Sequence, residues 1–316
     1  MSPDPGFWRG RRVLLTGHTG FKGSWLCLML EALGARVTGI ALDPPPGPAA
    51  FDILHVREGL EADHRADIRD AARLAALVVE ARPELVLHLA AQAFVGRGYR
   101  NPAGTFATNV QGTVNLLAAL SAVPGLMAAV IVTSDKVYAN DGAGRAFVEG
   151  DPLGGEDPYS ASKAAAEMAV AAWRSCTAVP LATVRAGNVI GGGDFGEQRL
   201  LPDLVRAERA GEVLRLRRPD ATRPFQHVLD VLRGYLMLAE RLAATPAAAP
   251  RALNFGPRDG ELRVRDLLEL YGAARGRAVA WQAEPAPPME EARRLALDSF
   301  LAGRALGWEP RLPTPQ

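Results

Sequence analysis

The chain has 316 residues, with 36 Lys plus Arg against 35 Asp plus Glu, so its formal charge of +1 gives no electrostatic pull toward nucleic acid or an anionic membrane. That length supports a large core in one large or two smaller domains. No apolar run approaches the ~18 residues of a membrane span, and the opening Met-Ser-Pro-Asp-Pro-Gly has no charged-then-apolar secretion pattern, so a cytoplasmic enzyme with small partners is expected. Cys27 and Cys176 both sit in apolar helical patterns and read as buried free thiols, not as a disulfide or metal ligands.

Residues 12–16 (RVLLT) have the pattern of a short buried strand, and Gly17-His18-Thr19-Gly20-Phe21-Lys22-Gly23 then opens a helix to about Leu33. A glycine-rich turn between strand and helix lets backbone N–H groups approach a pyrophosphate on the positive end of the helix dipole. The G-x-x-G-x-x-G spacing differs by one residue from the dinucleotide fingerprint. A second strand, 36–42, ends in Asp43, whose carboxylate can accept from adenosine ribose hydroxyls and would repel a 2′-phosphate, which favours NAD over NADP. Asp67-Ile68-Arg69-Asp70 follows a short polar segment and starts an amphipathic helix through Arg82, with Asp70 as its N-cap.

The nearly all-apolar run 85–89 (LVLHL) fits a central parallel strand covered on both faces, with His88 a satisfied core histidine. Ala90, Ala91 and Gln92 follow at its carboxyl end, where small side chains let a cofactor cross. In the next helix, 102–121, Thr108, Asn109 and Gln111 need buried partners. Strand 127–132 delivers Thr133, Ser134, Asp135 and Lys136 to the same edge. The alternation predicts an α/β fold, a Rossmann-type doubly wound parallel sheet, with ligands beyond the carboxyl ends of its strands.

Pro158 opens a helix to about Cys176 in which Tyr159 and Lys163, four apart, share a face. An ammonium beside a phenol lowers its pKa below the usual ~10, which makes Tyr159 a candidate general base. Strand 180–185 leads into a loop holding Asn188 and Gly191-Gly192-Gly193-Asp194, and Arg199 opens helix 200–210. Of the arginines there, Arg223 and then Arg199 are the expected diphosphate ligands, because the planar guanidinium donates two bonds at once. Arg215, Arg217 and Arg218 read as a solvated edge. Beyond them come a core-packing helix (230–242), a strand (252–256), a helix (264–271), an irregular loop (285–288) and a tail packed through Leu306 and Trp308 that frays over 310–316. The expected division is a NAD-binding domain, 1–185, that includes the Tyr/Lys helix, and a smaller, mainly substrate-binding lobe, 186–316, parts of which can return to the first domain.

The stretches TGHTGFKGSW (16–25), HLAAQ (88–92), TSDK (133–136), DPYSASK (157–163), RAGNVIGGGDF (185–195) and PDATRPFQHVLD (219–230) resemble the extended branch of the short-chain dehydrogenase/reductase superfamily. Within it they are similar to the CDP-glucose 4,6-dehydratases, with Lys136 standing where other nucleotide-sugar dehydratases usually carry an acidic residue. The resemblance runs to about Pro257. It implies NAD held by Gly17, Thr19, Gly20, Phe21, Lys22, Asp43, Asp67, Ile68, Ala90, Ala91, Thr133, Tyr159 and Lys163, a nucleotide sugar held by Gln92, Asn188, Arg199 and Arg223, and no metal.

It also implies an internal redox cycle, oxidation at carbon 4, elimination across carbons 5 and 6 and reduction at carbon 6. Tyr159 is then the base on the carbon-4 hydroxyl, Ser134 its orienting partner, and Lys163 the group that lowers the tyrosine pKa and holds the nicotinamide ribose. Asp135 is the acid for the leaving hydroxyl and Lys136 the base for the carbon-5 proton. Two departures from the family pattern, a shortened 138–159 segment and an end soon after Trp308, touch the substrate side. The same resemblance implies a homodimer or dimer of dimers built on helices 102–121 and 159–176. The alternatives are a nucleotide-sugar epimerase or 4-ketoreductase, which has no need of Asp135-Lys136, and a NAD-binding regulatory protein without turnover.

Overall fold

The computed structural model describes residues 1–140, 142, 144–257, 260–285 and 293–312. Its frame is a sheet of seven strands: β1 (Arg12–Thr16), β2 (Arg36–Ala41), β3 (Ala62–Arg65), β4 (Leu85–His88), β5 (Ala128–Val132), β6 (Leu181–Ala186) and β7 (Ala252–Phe255). They lie in the order β7-β6-β5-β4-β1-β2-β3, and every neighbouring pair is parallel. The order reverses between β1 and β4, which opens a crevice at their carboxyl ends.

Strands β4, β5 and β6 are buried at every position, the reason their sequences run apolar without alternation. Successive side chains still part to opposite faces. Leu15, Leu87, Val130 and Val184 pack with α1 (Phe21–Ala32) on one side, while Leu14, Val86 and Ile131 pack with α2 (Ala71–Ala81) and α3 (Gly112–Leu120) on the other. Asp70 caps α2, its carboxylate accepting from Arg73 N at 3.0 Å. Residues 62–65 (ADHR), read as a polar segment, form edge strand β3. An edge strand gains its backbone bonds from one neighbour only and does not need apolar residues on both faces.

The helix carrying Tyr159, α4 (Pro158–Trp173), stops earlier than expected. Cys176 therefore lies past its end and is exposed, which corrects its reading as a buried thiol, whereas Cys27 is buried.

Helix α5 (Leu200–Ala210) leads into a small lobe. The chain then returns to the sheet, with α6 (Val228–Ala244) covering one face and β7 pairing with β6. Trp308 closes this part by donating from Nε1 to Asp230 O at 3.0 Å and setting its ring edge-on to Phe255. The lobe has its own cluster, Leu204, Leu214, Leu216 and Leu268, the last from α7 (Val264–Arg275). The expected loop at 286–288 and fraying at 313–316 lie outside the described residues. Among those residues no helix is long and apolar enough to cross a membrane.

Candidate active site

The glycine loop sits at the crevice. Gly17 has φ +78°, and a Cβ there would lie 2.7 Å from Ala90 N; a Cβ on Gly23 would lie 2.1 Å from Gly17 O. Only glycine lets β1, the turn and α1 approach this closely. Gly20 is the N-cap of α1 and brings no side chain to its first turn, so the turn presents backbone amides and a positive dipole end, as a dinucleotide pyrophosphate requires. Thr19 Oγ1 donates to Leu42 O at 2.9 Å, fixing the loop against the end of β2. Beyond it Asp43 is 85% exposed at its side chain and pairs with Arg65 Nε at 3.3 Å. Asp67 is held by Arg69, and buried Ile68 packs against Gly112 while its carbonyl accepts from Asn115 Nδ2 at 3.0 Å. Ala90 N donates to Thr16 Oγ1 at 3.2 Å, and Ala90 and Ala91 are half-buried beside the loop. The donors and close approaches fit a bound NAD.

The second edge is built by β5 and α4. Asp157 caps α4, accepting from Tyr159 N at 2.9 Å and Ser160 N at 3.1 Å, with Pro158 in the first helical position. This delivers Tyr159 to Ser134, whose side chain hydrogen-bonds the phenol. Ser134 Oγ also contacts Asp135 Oδ1 at 3.0 Å. Burial pushes the Tyr159 phenol up to about 12, opposed by the Ser134 bond. The expected depression by Lys163 is thus reversed in this arrangement: the Lys163 ammonium donates to Val132 O at 3.1 Å, and burial of the phenol dominates. Lys163 is itself pushed down to about 8 by burial, with Glu167 acting in the opposite direction. Asp135 is raised by burial, against the pull of Lys136, Ser134 and Arg223, and its Oδ2 has no hydrogen-bond partner among the described residues. Lys136 is half-buried beside it.

These groups open on a cleft of about 290 Å³ between sheet edge and lobe, lined by Phe21, Lys22, Thr133 to Lys136, Tyr159, Asn188, Arg199 and Arg223. Arg199 is held by Asp194 at 3.0 Å, and Arg223 is buried with its Nη1 donating to Thr222 O. Arg217 and Arg218 are half-buried in the same wall, so these two are not a solvated edge, whereas Arg215 is exposed between buried Leu214 and Leu216, as expected. Gln92 is not part of the lining: its amide braces the loop, Nε2 donating to Phe94 O and Thr105 Oγ1, both at 3.0 Å. Among the described residues no group of three or more His, Cys, Asp or Glu is placed to hold a metal ion.

The sequence model of the NAD dependent epimerase/dehydratase family matches residues 13–256. The chain belongs to this family. It is 42% identical, over 98% of its length and 88% of the relative's, to a CDP-glucose 4,6-dehydratase of Salmonella typhimurium. A UDP-glucose 4-epimerase of Mycolicibacterium smegmatis is 31% identical over 95% of this chain and 94% of its own. The solved structure of a dTDP-glucose 4,6-dehydratase from Streptomyces venezuelae with NAD bound superposes with a TM-score of 0.82 at 25% identity, covering 95% of this chain and 92% of that one.

Within this NAD-dependent epimerase/dehydratase framework Tyr235 and Asn109 carried no functional signal in the sequence. Tyr235, on a helix read as core packing, is fully buried with its hydroxyl unpartnered among the described residues. Lys22 Nζ lies 5.7 Å from the centre of that ring, and burial together with the charges of Lys163 and Arg199 pushes the ammonium down to about 7. Asn109 sits in a π-helical turn, 107–111, where its Nδ2 donates to Ser162 Oγ at 2.8 Å and its Oδ1 accepts from Gln92 N. Such a bulge often marks a functional site, and here it ties the crevice loop to α4. His88 is the satisfied core histidine expected, with Thr16 Oγ1 at 2.6 Å and Thr113 Oγ1 at 3.1 Å.

Proposed function

We propose that this protein is a nucleotide-sugar 4,6-dehydratase that converts CDP-D-glucose to CDP-4-dehydro-6-deoxy-D-glucose and water. The observation that carries the reading is the buried Asp135, raised by burial and with one oxygen unpartnered among the described residues, between Ser134 and Lys136 and lining the same cleft as Tyr159. A simple 4-oxidation has no use for that acid and amine.

NAD, when bound, takes up a hydride from carbon 4 and returns one to carbon 6, so no net oxidant is consumed. Tyr159 accepts the carbon-4 hydroxyl proton while Ser134 holds that oxygen. Because the phenol is raised by burial, it needs the positive charge of Lys163 and of the oxidised cofactor to act near neutral pH. The resulting ketone acidifies the carbon-5 proton, which Lys136 removes. Asp135, whose burial favours the protonated carboxyl, gives its proton to the departing carbon-6 oxygen, which leaves as water, and as carbon 6 is reduced Lys136 returns its proton to carbon 5. Arg223 and Arg199, with Asn188 beside them, hold the diphosphate; the inward Arg217 and Arg218 extend that surface.

The test is incubation with CDP-, dTDP-, GDP- and UDP-hexoses scored by mass. Loss of one water from the CDP-hexose without net NADH is expected; water loss from another nucleotide sugar instead would refute the CDP assignment, and none at all would refute dehydration. The 31% identity to a UDP-glucose 4-epimerase makes epimerisation the second reading, and conversion of a hexose to its 4-epimer at constant mass would favour it. We further place the protein in the cytoplasm as a two-fold dimer. Its dimer surface would include Tyr99, Phe106 and Met168, large side chains exposed on the helices around α4. Trp173 is partly buried against the core and bonded to Ser121.

A further inference from the structure

We propose that Glu167, one turn beyond Lys163 on α4 and bound to Arg185, is the positioning residue that locks the Tyr159/Lys163 helix to the Thr133–Lys136 edge and keeps Lys163 charged. Both side chains are about 95% buried, with 4% and 5% exposure. Every oxygen of Glu167 is used: Oε1 accepts from Thr133 Oγ1 at 2.6 Å and Arg185 Nε at 2.9 Å, and Oε2 from Thr183 Oγ1 at 2.7 Å and Arg185 Nη2 at 2.9 Å. Arg185 Nη1 donates onward to Tyr138 Oη at 2.8 Å and Glu149 O at 3.0 Å. Tyr138 Oη donates to Asn254 Oδ1 at 2.6 Å, on β7. One carboxylate thus joins α4, β5, β6 and, through Arg185, β7.

The bond to Thr133 matters most. Thr133 follows Val132, whose carbonyl accepts the Lys163 ammonium, and precedes Ser134, which bonds Tyr159. Glu167 therefore grips the strand end between the two backbone and side-chain contacts that set the Tyr159–Lys163 geometry, from the same helix face four residues on. Its charge is also the one opposing the burial of Lys163. The other charges facing Lys163 are cationic or weakly basic: Lys22 from the glycine-loop helix and His88 from β4. Around Glu167 itself stand Arg185 and, just past the end of α4, Arg174. Full neutralisation by a plain hydrophobic pair would hold the elements together but would not keep an ammonium charged at that depth.

The inference rests on the proposed roles of Tyr159 and Lys163, so its primary readout is NAD affinity, which does not require a sugar substrate. Affinity is measured by calorimetry across pH 6 to 10 on the full-length protein, for wild type, E167Q and E167D, beside urea unfolding. In E167Q the alkaline fall of NAD affinity is expected to move about one pH unit lower, while E167D, which retains the charge, keeps it near the wild-type position. Equal loss of stability in both variants with an unmoved pH profile would reduce Glu167 to a structural role and overturn the proposal. If E167Q does not fold, T183V is read instead. It removes one bond and no charge, so its pH profile should match wild type while its stability falls, and a shifted profile would count against the charge argument. Should wild type bind NAD with the expected profile and yet dehydrate no nucleotide sugar, the functional reading fails and this one stands.

Discussion

Replacing Asp43 by alanine probes how the crevice selects its cofactor. The Asp43 carboxylate stands where the adenosine ribose hydroxyls are expected, and hydrogen bonds from neutral donors to an ionised acceptor contribute about 1.5–3 kcal/mol. The side chain is 85% exposed and already shares its charge with Arg65 at 3.3 Å, so the lower end applies, about 1.5 kcal/mol, or roughly tenfold weaker NAD binding. NADP should respond in the opposite direction. Removing Asp43 takes away the charge that repels a 2′-phosphate and leaves the Arg65 guanidinium, held by Asp63 at 2.9 Å and lying over the Phe51 ring, facing that position. Calorimetric titration of D43A with both dinucleotides at one salt concentration should show NAD weakened and NADP unchanged or tightened. Equal weakening of both would mean that Asp43 acts through loop structure, and no change in either would remove it from the cofactor site.

Asp135→Asn keeps the size of the side chain but cannot give up a proton; oxidation at carbon 4, followed as transient reduced nicotinamide absorbance, should survive while water loss falls about 10²–10⁴-fold, and an equal loss of both steps would refute the acid role. Gly17→Ala forces a Cβ to 2.7 Å from backbone at φ +78°, whereas Gly20→Ala meets its nearest atom at 3.4 Å. Urea unfolding should show the first losing about 3 kcal/mol and the second under about 1 kcal/mol. Comparable losses would contradict the packing argument. For His88, burial lowers the imidazole from 6.5 to about 3, so below pH 6.5 the unfolded chain takes up a proton that the folded one refuses. Stability is lost as pH falls through that window, by about 2 kcal/mol at pH 5. His88→Asn should flatten the pH 7 to 5 slope by that amount, and an unchanged slope would place the titration elsewhere.

Local sequence determined a good deal of this protein. The glycine loop, the buried strands, the Asp70 cap and the Tyr159–Lys163 spacing each leave a pattern within a few residues, so they are readable in order along the chain. Edge strand β3 is not legible because its residues are polar and, among the described residues, it pairs with β2 alone, and Cys176 is exposed because α4 ends one turn before it. What only tertiary structure decided is which polar groups share a dry space. The phenol of Tyr159 is raised and not lowered, since burial outweighs the Ser134 bond and Lys163 is directed to the Val132 carbonyl. Gln92 turned into a loop brace, and Arg217 and Arg218 turned inward. Glu167 and Arg185, eighteen positions apart and given no role by their sequence patterns, form a paired charge beneath the site. Residue type and spacing specify which chemistry a chain can perform, but the ionisation of each group follows from desolvation and neighbouring charge, and those exist only once distant segments have packed.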